Sequence, residues 1–412
     1  MQSVKLNCWR NCIEDVAVMT TRNVEKVEQA VFYCMSGFAL CTCISIAAGN
    51  FFLGFGILFF LYRLYLKHDD IFPLPLEKNF MRFVGAFLLI ALLSGIASGE
   101  PIVGIKRFID YYFYRMMPMV IVLLIIKDKK KLLQLAGCIW LSLILDSSMA
   151  VWQGMHGDFR AAGFNGHPMF LAGILSMLIP IFASLVVQIK NTNPLKKPLI
   201  GSLCILLAAL LLNGTRGAWL ALLVTVPIVT YAACENLKKY FSILLVVTVI
   251  TLTLFMTISP LQQRLNTLED PSYQSNSERI LIWTSAWHMF KDYPILGVGL
   301  GRYTTEYQTK YISPEAKEMV GHAHNNFLQM LAETGVLGFI TFTTMILYFF
   351  YYGYQGWRRE KNIAYLAFFG MTLGLILQGL TEYNFGDSMV IKLYWLMTAL
   401  CIQIINFEKK EV

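Results

Sequence analysis

Runs of about 20 apolar residues recur along this chain, at 82–98, 168–188 and 388–406 among others, separated by short polar connections. A helix of that length crosses ~30 Å of hydrocarbon, whereas a barrel strand needs only ~10 residues of alternating pattern. The runs do not alternate, so the spans are helical. Only 15% of the 412 residues are charged and 56% are apolar. A soluble domain carries about a quarter charged residues, so a soluble enzyme is excluded. The pattern predicts an all-α polytopic membrane protein.

Twelve spans are expected, at about 31–48, 50–66, 82–98, 108–126, 132–152, 168–188, 199–213, 217–234, 240–258, 335–353, 363–381 and 388–406. Only Gly49-Asn50 separates the first two, and only Asn213–Gly217 separates the pair at 199–234. The first 29 residues carry Lys5, Arg10, Asp15, Arg22, Glu25, Lys26 and Glu28 and lack an apolar core with a small-residue cleavage site. They read as a cytosolic tail. Alternate connections hold Lys67 and Lys78; Lys127 and Lys129–Lys131; Lys190, Lys196 and Lys197; Lys238 and Lys239; and Arg358, Arg359 and Lys361. Lysine and arginine mark the cytoplasmic side, which puts both termini inside. The net charge of +8 is thereby a matter of topology, and a nucleic-acid partner is not implied.

The opposite face receives the connection with Lys106, Arg107 and Arg115, the segment Gln153–His167, the turn Asn213–Gly217, a long stretch over 259–324, and Glu382–Asp387. The long stretch holds six Lys/Arg and seven Asp/Glu, so it is no basic patch, and it is too long and patterned for a linker. None of the nine cysteines falls in it, and no Cys/His spacing suggests structural zinc. Within it, Ser277 stands as a helix cap before a stripe of Ile280, Trp283, Trp287 and Phe290, which predicts a surface helix ending near Asp292-Tyr293-Pro294 with its tryptophans at the headgroups. Leu296-Gly297-Val298-Gly299-Leu300-Gly301 lacks the strand–glycine–helix context of a phosphate loop and reads as a tight turn.

His322 and His324 lie at the mouth of an apolar helix, in Gly321-His322-Ala323-His324-Asn325-Asn326. The positive end of a helix dipole disfavours imidazolium and leaves a ring able to accept a proton. A simple capping role fits the same position. Arg216 stands between two apolar spans, where a charge is costly unless paired, and phosphate is a natural partner for its fork. Arg279, Lys106, Arg107 and Arg115 share that face, where headgroup snorkelling is the alternative. Glu382 could orient a histidine or pair an arginine; Arg160 and His167 also lie on that side. There is no DxD motif for a metal-held nucleotide-sugar, no serine nucleophile elbow, and no repeat pattern of a transporter.

These residues resemble a known family. His324-Asn325, nine residues, then Gly335-Val336-Leu337-Gly338 is similar to the signature of the O-antigen ligase/polymerase superfamily. Thr215-Arg216-Gly217-Ala218-Trp219-Leu220 resembles a segment of the ligases, the glycine turn at 296–301 is similar to the one before the histidine, and Gly379-Leu380-Thr381-Glu382 matches the late acidic position. The resemblance implies about 12 transmembrane helices and one long periplasmic loop containing helices. The domains expected are a cytosolic tail at 1–30, spans one to nine at 31–258, the periplasmic loop with the catalytic residues at 259–334, spans ten to twelve at 335–406 and a cytosolic tail at 407–412.

The resemblance further implies transfer of a glycan from undecaprenyl diphosphate to a sugar hydroxyl of lipid A–core, in the bacterial inner membrane, with no cofactor or metal and with inversion. His324 becomes the base, Arg216 and Arg279 the catalytic diphosphate clamps, and Glu382 a supporting acid. Arg107, Arg115, Arg160 and His322 become substrate-binding residues, His322 without a firm counterpart in the family. A polymerase of O-antigen or capsule, a protein O-oligosaccharyltransferase and, from another class, a transporter of lipid-linked sugar are the alternatives.

Overall fold

The apolar runs become helices in a computed structural model that describes residues 23–66, 74–238 and 274–411, with isolated positions between 239 and 273. The helices are α1 (23–41), α2 (Ile46–Leu66), α3 (Lys78–Ala97), α4 (Pro101–Phe108), α5 (Arg115–Ile125), α6 (Lys129–Met155), α7 (Pro168–Gln188), α8 (Lys196–Asn213), α9 (Arg216–Ala233), α10 (Gln274–Asp292), α11 (Asn326–Glu360), α12 (Ile363–Gln378) and α13 (Ser388–Glu411). No strand occurs among the described residues. Nine helical segments there are long and apolar enough to cross a membrane, α4 and α5 counting as one, and α12 is a shorter apolar helix. The protein is a polytopic helical membrane protein. Most of the expected ninth span at 240–258 lies outside the described residues, as do most of the first tail and most of residues 259–273.

The boundary between the first two spans differs from expectation. The chain turns at 42–45, where Ile44 and Ser45 donate to Cys41 O and the Ser45 hydroxyl accepts from Ala48 N. Gly49 and Asn50 lie inside α2. Asn50 is an intramembrane acceptor instead, taking hydrogen bonds from Tyr114 Oη at 3.2 Å and from Lys392 Nζ at 2.5 Å, which satisfies a lysine buried in α13.

α7 and α13 are the most buried spans, and α7 packs on α8, α9 and α12. Apolar burial gives little preference for protein over lipid, so close packing and hydrogen bonds hold such a bundle. Polar anchors gather at one end: Asn213 Nδ2 donates to Ala161 O and Pro168 O, and Asn165 Nδ2 to Cys43 O. The connections 98–100, 156–167, 214–215 and 379–387 share that end. Those at 126–128, 189–195 and 361–362, with their lysines, lie at the other, in the alternation read from the charges.

Between α4 and α5 the helix widens into a π turn, Ile109–Tyr114. Arg115 therefore does not sit on an exposed connection, as expected. It opens α5 inside the continuous helix and is 6% exposed. The extra residue of a π turn re-aims the side chains that follow it, which suits a functional site.

Residues 274–325 fold over the start of α11 with a small core of their own, including Ile282, Ala286, Met289, Val298, Tyr303 and Tyr307. Helix α10 ends at Asp292 as expected, but its cap is corrected. Ser277 lies in the first turn, its hydroxyl bonding back to Gln274 O rather than capping. The buried face is Ile282, Ala286 and Met289, while Ile280 and Trp287 of the predicted stripe are 55% and 45% exposed. Small Ser285 and Ala286 allow close packing, and Ser285 Oγ reaches Tyr311 O at 2.6 Å. Of the expected membrane-surface stripe, Ile280 and Trp287 face outward, while Trp283 packs partly against this core.

The candidate active site

The glycine turn at 294–301 and a break in α11 are one construction. Gly335 has φ +63° and ψ −164°, which interrupts the helix ladder and frees two carbonyls before it and two N–H groups after it. The turn takes all four. Val298 N and Gly299 N donate to Ala332 O and Glu333 O at 2.9 and 3.0 Å; Val336 N and Leu337 N donate to Pro294 O and Ile295 O at 2.8 and 3.4 Å. Those four backbone groups thus find partners outside the ladder. Ser94 Oγ fastens the junction to α3 through Leu296 O and Glu333 O. The nine residues 326–334 form a separate helical segment that carries the histidines' attachment point, tilted free of the span below it.

Asn325 caps that segment, accepting from Phe327 N and Leu328 N at 2.8 and 3.1 Å. Its amide donates to Leu380 O, and Asn326 bonds Gly379 O, Asn384 Oδ1 and Phe385 N. The two asparagines therefore lock the segment after His324 to the turn that carries Glu382. Asn325 entered the sequence reading only as part of the signature, and Asn326 and Asn384 were not singled out.

His324 has φ +46°, a left-handed conformation uncommon outside glycine. Its Nδ1 lies 3.1 Å from both oxygens of Glu382. Tyr383 N donates to the same carboxylate at 3.0 Å. Burial pushes Glu382 up, but the His324 hydrogen bond, the two histidines and the Tyr383 N–H outweigh it and hold the carboxyl at about 2. An ionised carboxylate only accepts, so His324 Nδ1 donates to it, and Nε2 is the ring nitrogen outside that contact. His322 Nδ1 accepts the backbone N–H of His324 at 3.3 Å, so its own proton resides on Nε2, 3.7 Å from Glu382. Burial, opposed by Glu382 and aided by His324 and His167, lowers His322 to about 4. It is neutral at physiological pH.

The same three side chains bring ligand atoms within 4.8 Å of one another and are spaced to hold a metal ion. The sequence had offered no such cluster, because Glu382 is 58 residues from His324.

Of the predicted arginines, Arg216 is the first residue of α9, 9% exposed, with Nη2 on Asn276 Oδ1 at 2.9 Å. Asn276 is one turn before Arg279, so the contact ties the start of α9 to the helix that carries Arg279. Gly217 packs on Thr381, which puts the start of α9 against the Glu382 turn. The predicted Thr-Arg-Gly and Gly-Leu-Thr-Glu segments thus meet. Arg107 is exposed and lies over the Tyr111 ring. Arg160 is exposed and away from the cavity.

A cavity of about 310 Å³ opens beside the histidines. Arg115, His167, His322, Glu333, Glu382 and Asp387 line it, with Tyr111, Phe170 and Tyr383 among its aromatic walls. Arg216 and Arg279 do not. Burial raises Asp387 to about 6.

Fold and site define a multi-pass helical membrane protein with an oriented histidine and buried arginines at one end of the bundle. Residues 201–343, about a third of the chain, match the family described as O-antigen ligase. The match takes in Arg216, Arg279, His322 and His324 and ends before Glu382. A Haemophilus influenzae protein (strain ATCC 51907 / DSM 11121 / KW20 / Rd), described as an uncharacterized protein, is 30% identical over 166 residues. That alignment covers 35% of this chain and 41% of the relative.

Proposed function

We propose that the protein is an O-antigen ligase of the bacterial inner membrane, moving a glycan from undecaprenyl diphosphate to a sugar hydroxyl of lipid A–core at the periplasmic face. The observation that carries this reading is the His324–Glu382 pair, which turns Nδ1 to the carboxylate and leaves Nε2 to act on a substrate, on a turn whose Thr381 packs against Gly217, next to the buried Arg216. His324 Nε2 takes the hydroxyl proton as the acceptor oxygen attacks the anomeric carbon. The bond from that carbon to the diphosphate oxygen breaks, and undecaprenyl diphosphate leaves. Attack opposite the leaving group inverts the centre. Glu382 holds the tautomer and balances the imidazolium, as carboxylates do for basic histidines. Arg216 and Arg279 bind the diphosphate as its charge grows; Arg107, Arg115, Arg160 and His322 assist binding. The loop 259–334 is the periplasmic element of this reading, and both termini are cytoplasmic.

Complementation separates this reading from its nearest rival. Expression in one bacterial strain lacking its ligase and one lacking its polymerase is expected to restore polymer-capped lipopolysaccharide in the first. Rescue of the second alone contradicts the ligase reading. The Arg216→Lys variant keeps charge but loses the fork, and transfer is expected to fall on the order of 10–100-fold, mainly through the donor KM. Unchanged donor kinetics would remove the bidentate clamp. Transfer is also expected to survive treatment with EDTA. Loss on chelation and recovery with zinc would instead put a metal on His322, His324 and Glu382.

A further inference from the structure

The backbone between the two histidines needs a holder. His324 takes φ +46°, a left-handed conformation that is unfavourable for a residue with a side chain. Ala323 before it is fully buried, so its N–H requires a partner inside the protein. Gln329 is that partner. It lies on the short segment 326–334, is 2% exposed, and its Oε1 accepts from Ala323 N at 2.7 Å. The carbonyl end of the amide must meet the Ala323 donor. That turns the N–H₂ end to the carboxyl group of Glu333, one helical turn further along. The amide therefore has one orientation.

The other bonds hold the chain on either side of the histidines. Thr304 Oγ1 donates to Gly321 O at 2.8 Å, and Asn325 caps the segment that follows. Between those anchors, among the described residues, the backbone of 322–324 reaches another part of the chain through the single bond from Ala323 N to Gln329. We propose that Gln329 is a positioning residue for the histidine base: it fixes the 322–324 turn so that His324 Nδ1 meets Glu382, and it acts through His324 rather than on substrate. The inference rests on the transfer reading for the role of the histidine, and on the geometry for the clamp. A displacement of about 1 Å at a reacting group lowers turnover about 10²-fold.

Two variants of the full-length protein remove the bond in different ways. Gln329→Met keeps the length and has no oxygen; Gln329→Asn keeps the amide and is one methylene too short. Both are expected to lower kcat for transfer about 10–100-fold, while KM for donor and for acceptor stays within about twofold. A side chain that bound substrate or merely shaped the cavity would move KM. Hydrogen exchange over residues 320–325, followed by mass spectrometry, reads the clamp without any transfer. Ala323 N–H is expected to exchange at least about tenfold faster in both variants than in the parent. Unchanged kcat, a raised KM with kcat intact, or unchanged exchange would each overturn the proposal. Failure of both variants to fold would also overturn it, by making Gln329 a determinant of the fold rather than of the histidine. Absence of transfer by the parent protein would count against the ligase reading, and the exchange result alone would then decide the clamp.

Discussion

Exchange of His324 for alanine is expected to lower glycan transfer by about 10²–10⁴-fold, the range a positioned base contributes. Folding should be retained, because the segment is held by Asn325 and Asn326 rather than by the imidazole. The left-handed backbone at position 324 adds a complication, since alanine tolerates φ +46° poorly. His324→Asn separates the effects, asparagine being at ease in that region and unable to act as a base. Both variants should melt near the parent temperature in detergent and both should lose turnover. Near-parental turnover in the asparagine variant would show that the geometry at 324 matters and the base does not.

The second large effect concerns folding. Gly335→Ala would place a Cβ against the carbonyl of Ile295 and 2.7 Å from Gly297 N, both of them backbone atoms with no freedom to move aside. Its φ and ψ fall in a region populated almost only by glycine, so strain alone costs about 1–3 kcal/mol. Relief by shifting the turn would break the four hydrogen bonds that replace the helix ladder. We expect a pronounced fall in the yield of monodisperse protein and in the melting temperature. Gly201→Ala in α8, where nothing lies within 4 Å of the new Cβ, should be neutral. Equal behaviour of the two variants would show that the junction does not hold the site.

Most of the helices were legible because lipid demands long apolar segments, and hydropathy reports that demand directly. The alternation of Lys/Arg-bearing connections was legible for the same reason. Motif spacing brought out His324, Arg216 and Glu382, and the structure joins the first and third directly. The misplaced features depend on partners that sequence does not show. Helix α10 offered two apolar faces; the bulkier read as a membrane-surface stripe, and the smaller one, Ile282, Ala286 and Met289, is the buried face, which no pattern had singled out. Asn50 resembled a turn residue until Lys392, 342 positions away, supplied its partner. Glu333 and Arg115 sit in apolar runs whose facing residues come from distant helices, so no local pattern joined them.

The most direct test uses purified full-length protein in lipid vesicles with an undecaprenyl-diphosphate-linked glycan and lipid A–core. The account predicts lipid A–core bearing the glycan, together with released undecaprenyl diphosphate, from the parent protein and not from His324→Asn. Glycan lengthened on its own lipid diphosphate while the core stays bare, or equal product from both proteins, would contradict it.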